Sequence, residues 1–430
     1  MNKLKIPRIN EQMYHEKLDN GLDLFLLSKP EVEKTFAIFS TKYGSIDQTF
    51  TPIGENEKVT VPDGIAHFLE HKMFEKEDGD VFQQFSERGA SANAFTSFTQ
   101  TAYLFSSTSD EEKNVETLLN FVQDPYFTEQ TVEKEKGIIE QEIKMYDDQA
   151  DWRLFFGTIG SLYEHHPVRI DIAGTVDSIY DITHEDLYTC YNTFYHPSNM
   201  SIFVIGNFDL DSMATLIKNN QNNKTFDEPN GIDRFYGDEK DEVYKKVEKI
   251  YMPVTTPKCM IAVKEKKESL NKDQLLKNDL VRDMILDLYF SKSGSFYEEL
   301  YQKGLVIDKL RLEQYLEESF GFAAIGGSTT KPREFGERVK EMLLSIKNEP
   351  IKQDDFERAK KKKYGELVRE FNELEGTANT FIHYHHLGID YRDVFEILEQ
   401  LSLDDVNRVT DDWISEDRIS ICMVLPEDEK

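Results

Sequence analysis

The chain has 430 residues, with 81 Asp and Glu against 51 Lys and Arg, for a formal net charge of −30. That balance argues against nonspecific attachment to nucleic acid or to an anionic membrane, both of which call for basic surface. The length exceeds what one simple core uses, and a hydrophobic fraction of 39% excludes wholesale disorder, so two or more packed domains are expected.

In chain order, residues 14–29 read as a β-hairpin. Asp19-Asn20-Gly21 separates Leu18 from the alternating Leu22, Leu24 and Leu26, and Asn-Gly tolerates the positive φ angles of a type I′ turn. Residues 36–42 read as a strand. Ile65, Phe68, Leu69 and Met73 give helical spacing over 64–76. Strands follow at 92–96 and 101–106, helices at 112–123 and 131–147, and an apolar strand at 200–206. The Asn/Gln run at 219–223, followed by Glu228-Pro229-Asn230-Gly231, reads as a linker near the midpoint.

The halves resemble each other. Leu118-Leu119, Asp124-Pro125 and a charged helix have a counterpart in Leu343-Leu344, Glu349-Pro350 and a second charged helix. Each half closes on an apolar strand, Ser201-Ile202-Phe203-Val204 and Ser420-Ile421-Cys422-Met423. The reading is an α+β chain of two duplicated domains, each a mostly antiparallel sheet packed with helices. The expected boundaries are 1–218, a linker at 219–240, and 241–430. No glycine-rich phosphate loop is present. Cys190, Cys259 and Cys422 lie far apart and form no CxxC pair, which suits a reducing compartment. Residues 1–10 carry no apolar signal core, and no apolar run approaches the ~20 residues of a bilayer helix. A cytoplasmic protein without membrane or nucleic-acid partners is expected.

The chemistry concentrates in His67-Phe68-Leu69-Glu70-His71. On a helix, positions i and i+4 share a face, so both imidazoles can address one metal ion, and Glu70 can take a proton from a metal-bound water. This is the HxxEH order. Catalytic zinc usually takes three protein ligands, so a distant His, Asp or Glu is required. Glu135 and Glu142, two turns apart on a stripe with Ile138 and Ile139, are candidates; Glu140 faces elsewhere. The other histidines weigh less. His383, His385 and His386 lack an acidic or Cys partner at motif spacing, His165-His166-Pro167 reads as a packing loop, and 360–363 as a solvated basic face.

Four blocks, in order, carry a family resemblance. Gly64-Ile65-Ala66-His67-Phe68-Leu69-Glu70-His71-Lys72-Met73-Phe74, then Ala92-Asn93-Ala94-Phe95-Thr96-Ser97, then Glu135 to Ile143, then Phe194-Tyr195-His196-Pro197-Ser198-Asn199-Met200 closely resemble the pitrilysin/insulinase metallopeptidases. That family includes the short, two-domain subunits of mitochondrial processing peptidase, and the present chain looks like that type, with the corresponding metallohydrolase fold. The resemblance implies one zinc ion per chain held by His67, His71 and Glu142, with Glu70 as general base and Glu135 as a supporting carboxylate. It also implies that Ala92, Asn93, Ala94 and Phe95 form an edge strand that pairs with an extended peptide substrate.

The second half departs from the family pattern R-x-x-x-G-L-x-Y, whose Arg and Tyr support substrate and transition state. In Leu300-Tyr301-Gln302-Lys303-Gly304-Leu305-Val306-Ile307, no Arg stands four residues before Gly304 and no Tyr two residues after Leu305. Arg311 and Tyr315 are only four apart. Family members usually close four such domains around one chamber. The chain therefore reads as the zinc-bearing half of a heterodimer whose related partner brings the Arg/Tyr pair, with a homodimer as another arrangement. The competing expectation is a non-hydrolytic peptide-binding or scaffold subunit.

Overall fold

The computed structural model describes residues 2–9, 11–77, 79–226, 231–349 and 351–430. Its strands are β1 (Asn2–Ile6), β2 (Glu11–Lys17), β3 (Asp23–Ser28), β4 (Thr35–Thr41), β5 (Thr49–Phe50), β6 (Val59–Thr60), β7 (Glu75–Lys76), β8 (Gly79–Asp80), β9 (Ser91–Thr96), β10 (Thr101–Ser107), β11 (Met200–Gly206), β12 (Val247–Met252), β13 (Lys258–Lys264), β14 (Arg311–Leu316), β15 (Gly321–Ser328) and β16 (Ile419–Pro426).

Two sheets organise the molecule. The first has the order β1-β2-β3-β11-β4-β10-β9 and the second β12-β16-β13-β15-β14. The last five strands of the first sheet repeat the second strand for strand, including one parallel pair in each, β3 with β11 and β12 with β16. All other neighbours in the two sheets are antiparallel. The central strands β4, β11 and β13 are buried almost throughout, as expected where both faces are covered.

The covering is reciprocal. The helix Ala150–Leu162, from the first half, lies on β12, β13 and β16 of the second sheet. Its Gly157 allows the contact: a Cβ there would lie 2.4 Å from Ile250 Cδ1. The helix Leu374–His386, from the second half, lies on β4 and β11 of the first sheet. Each half thus supplies a wall of the other's core, and the apolar clusters run across the seam through Phe25, Phe36 and Phe203 on one side and Phe381 on the other.

Local expectations are refined in three places. The 14–29 hairpin forms, but of its turn residues only Gly21 has positive φ (90°). Asn20 instead accepts the Leu22 N–H on its side chain and donates to Gln221, so a longer loop replaces the two-residue type I′ turn. Residues 219–222 are the last turn of the helix Leu210–Asn222, held by amide pairs from Asn220 to Asn120 and between Gln221 and Gln123. The expected linker's Glu228, Pro229 and Asn230, and Pro350 of the repeat, lie outside the described residues. The basic run at 360–363 is not simply solvated: Lys362 and Lys363 pair with Asp287 and Asp283 of the helix Lys272–Phe290. No helix among the described residues is long and apolar enough to cross a membrane.

Candidate metal centre

The helix Ile65–Met73 starts at Gly64, whose φ of 86° is open to glycine at little cost. A Cβ at Gly64 would also fall 2.3 Å from the Ala173 carbonyl oxygen. The helix is thereby seated on the loop at 171–174. Phe68, Leu69 and Met73 anchor its buried face, leaving His67, Glu70 and His71 along one side. The second contributing helix, Glu129–Asp147, begins with Thr128 and Thr131 capping each other's backbone N–H groups, and it is anchored by Val132, Ile139 and Ile143. Ile139 is fully buried while Ile138 is 49% exposed, so the Glu135/Glu142 stripe runs along the border between core and solvent and faces the histidine helix.

Among the described residues, one group of three His, Cys, Asp or Glu side chains converges closely enough to hold a metal ion: His67, His71 and Glu142, with donor atoms within 4.8 Å of one another. His67 Nε2 lies 3.7 Å from one Glu142 oxygen and His71 Nε2 lies 3.4 Å from the other. A tetrahedral ion with bonds of about 2.0–2.1 Å would set its ligand atoms about 3.3 Å apart, so the cluster needs little adjustment. Two imidazoles and a carboxylate are also a known catalytic zinc donor set.

The electrostatics point the same way. Burial, reinforced by His71, pushes the His67 imidazole down to about 3, which keeps it neutral and able to ligate. Burial also lowers the His71 imidazole, but the hydrogen bond to Glu135 and the Glu70 and Glu142 charges outweigh it and the net shift is upward. His71 Nδ1–H donates to Glu135 Oε1 at 3.1 Å, which directs Nε2 at Glu142. Burial pushes Glu70 up, partly offset by Thr96, whose hydroxyl donates to Glu70 Oε2 at 2.6 Å. Three carboxylates gathered around two imidazoles in a partly buried site are costly without a cation, and a dication would relieve them.

Glu70, His71 and Glu135 open onto a cavity of about 590 Å³ whose wall includes Phe74, Asn93 and Ala94. Those last two belong to β9, the free edge of the first sheet. Ala92 to Phe95 therefore lie along that edge beside the cluster. Thr96, at the end of β9, was legible in sequence only as a strand residue; its bond to Glu70 is a long-range contact.

The remaining candidates go elsewhere. His385 bonds Asp23, His383 faces Glu317, and His386 is half-buried with both ring nitrogens enclosed and unpartnered, so 383–386 lines the seam between the sheets rather than a second metal site. His166 packs against Tyr163, Tyr236 and Phe320. Tyr301 is 61% exposed at the end of the helix Ser295–Gln302, Ile307 is exposed and Val306 is buried. Arg311 lies over the Phe155 ring, and Tyr315 packs against Phe98, Phe155 and Phe322. Both serve packing.

Comparison with known proteins gives the family. Residues 54–176 match the model of the insulinase family (peptidase family M16), and residues 181–363 match that of the peptidase M16 inactive domain. The chain is 50% identical over 424 residues to an uncharacterized zinc protease, YmfH, of Bacillus subtilis (strain 168), covering 99% of each chain. The chain belongs to the M16 (insulinase) peptidase family. A crystal structure of a putative M16-like peptidase from Alicyclobacillus acidocaldarius superposes with a TM-score of 0.92 at 37% identity, covering 98% of this chain and 99% of that one. A protease from Helicobacter pylori, at 18% identity and TM-score 0.84 over 97% of this chain and all of that one, shares the fold. As a family member the chain is a metallopeptidase, a hydrolase of peptide bonds.

Proposed function

We propose that the chain is a zinc endopeptidase of peptides or short unfolded segments, with zinc held by His67, His71 and Glu142. The observation that carries this is the convergence of those three donors beside Glu70 and a free sheet edge. Zinc, when bound, would polarise the scissile carbonyl and make water more acidic. The chain's own residues do the rest. Glu70, oriented by Thr96, takes a proton from the attacking water and hands it to the leaving amine. Glu135 holds the tautomer and direction of His71. Ala92 to Phe95 on β9 pair with the substrate backbone, which limits side-chain selectivity. We divide the chain at 219–240, with the zinc site in residues 1–218 and a related domain without one in 241–430.

We further propose that the active unit is a heterodimer, as in the two-domain processing-peptidase type. The lack of the pattern's Arg and Tyr at 300–307, with Arg311 paired to Glu313 and Tyr315 packed on Phe98, Phe155 and Phe322, supports an Arg/Tyr pair brought by a related chain. The test is a fluorogenic-peptide assay of the chain alone and mixed with a relative carrying R-x-x-x-G-L-x-Y. Chelator-sensitive cleavage that rises sharply in the mixture is expected. Equal cleavage by the chain alone sinks the heterodimer, and a zinc-free, inactive mixture sinks the whole reading.

A further inference from the structure

The helix Glu129–Asp147 carries, one turn beyond Glu142, a tyrosine that the scheme above leaves unused. Tyr146 shares a helix face with Glu142, four residues on, which sets its phenol beside the Glu142 carboxylate. Its ring stacks on Trp152 of the helix Ala150–Leu162, with centroids 4.4 Å apart and planes inclined by 15°. The Trp152 indole N–H donates to Asp171 Oδ2. The other oxygen of Asp171 accepts the Ala173 N–H at 3.0 Å.

This places Asp171 in the loop on which the histidine helix is seated. A Cβ at Gly174 would fall 2.5 Å from the Asp63 carbonyl oxygen, so loop and helix start touch backbone to backbone. One run of contacts thus leaves Glu142, passes through Tyr146, Trp152 and Asp171, and returns to the helix that bears His67 and His71. The cluster's two helices are tied from behind as well as through the donors.

We propose that Tyr146, Trp152 and Asp171 act as a brace that sets the Glu142 carboxylate against the two histidines and so governs how tightly the chain retains zinc. All three are positioning residues, and the proposal rests on the zinc reading of the site. The stack fixes the phenol laterally, since an offset aromatic pair has a preferred separation, and the indole bond fixes the stack. Partners behind a metal ligand act on affinity because they hold the ligand in the geometry it needs before the ion arrives.

The experiment measures zinc affinity of the full-length chain by competition with a chromophoric chelator, together with thermal unfolding of the zinc-free protein. Tyr146→Phe keeps the ring and removes the hydroxyl; Trp152→Phe keeps an aromatic partner and removes the N–H. Each is expected to weaken zinc binding about tenfold while the zinc-free unfolding temperature stays unchanged. The double variant should lose little more than either alone, because both break one run of contacts. Zinc affinities within twofold of wild type in both single variants overturn the brace, even where unfolding temperature falls. A wild-type chain that takes up no zinc overturns the zinc reading itself, which separates the two failures.

Discussion

The two sheets share the order of five strands, yet their buried charges are arranged in opposite ways. In the first half, Glu70, Glu135 and Glu142 crowd around His67 and His71, and among the described residues no Lys or Arg forms an ion pair with them. In the second, Arg282 meets Glu265 at 2.7 Å with both side chains almost wholly buried. One site is an ion pair within the chain; the other gathers carboxylates that a bound cation would relieve. Duplication of a fold supplies a scaffold twice, but only the copy left electrostatically incomplete is equipped for metal chemistry.

The sharpest way to break that contrast is to remove one group from each site. Glu70→Gln should cut peptide hydrolysis by about 10²–10⁴-fold in the active complex, the range for loss of a general base. Zinc content should hold near one per chain and stability should not fall, since a neutral amide suits the buried site that already pushes the Glu70 carboxyl up. Activity assays with metal analysis on the same sample check both halves. Retained full activity overturns the role of Glu70.

In the second half the same operation should do the reverse. Arg282→Met leaves Glu265 buried and unpaired and should cost about 3–5 kcal/mol by urea unfolding. Arg282→Met combined with Glu265→Leu should recover most of that, because the lone charge is gone. Zinc affinity should be untouched in any variant that folds. If Arg282→Met is neutral, the pair is not the stabilising counterpart drawn here.

The seam between the halves gives a third test. Glu239 accepts N–H groups from Glu164, His165 and His166 and pairs with Lys264 of β13 at 2.9 Å, so it ties both halves to the connecting segment. Burial raises its pKa, but the Lys264 bond and the His165 and His166 N–H groups outweigh it and hold it at about 2, below an ordinary 4.5. A depressed folded value means stability that is present above 4.5 and lost as pH falls toward 2. Glu239→Gln should therefore cost about 2 kcal/mol at pH 7, allowing for solvent screening, and the gap to wild type should close between those values. A gap independent of pH would mean the backbone bonds, not the charge, hold the seam.

Much of this was legible in sequence, and the division follows range. His67, Glu70 and His71 sit within two turns of one helix, and Glu135 and Glu142 within two turns of another, so periodicity alone could align them. The repeat was legible because Ser201-Ile202-Phe203-Val204 and Ser420-Ile421-Cys422-Met423 hold the same place in their sheets. What was not legible is tertiary. Nothing local in Phe381-Ile382-His383-Tyr384-His385-His386 says that it crosses to the other half's sheet, or that Ala150–Leu162 crosses back. The Asn20-Gly21 turn took another form because Asn20 bonds Gln221, a partner far along the chain.

The smallest effect tests the link between the substrate edge and the base. Thr96 ends β9 and donates a hydrogen bond from its hydroxyl to Glu70 Oε2, so a residue of the proposed substrate strand would aim the proposed base. Thr96→Val keeps shape and strand propensity and removes one hydrogen bond to a charged group, about 1.5 kcal/mol, or roughly tenfold. Because the strand's backbone is unchanged, KM should stay level while kcat falls. Zinc affinity should also stay level, which distinguishes this variant from those at Tyr146 and Trp152. A rise in KM at constant kcat would assign Thr96 to substrate pairing instead, and would leave Glu70 oriented by its own helix alone.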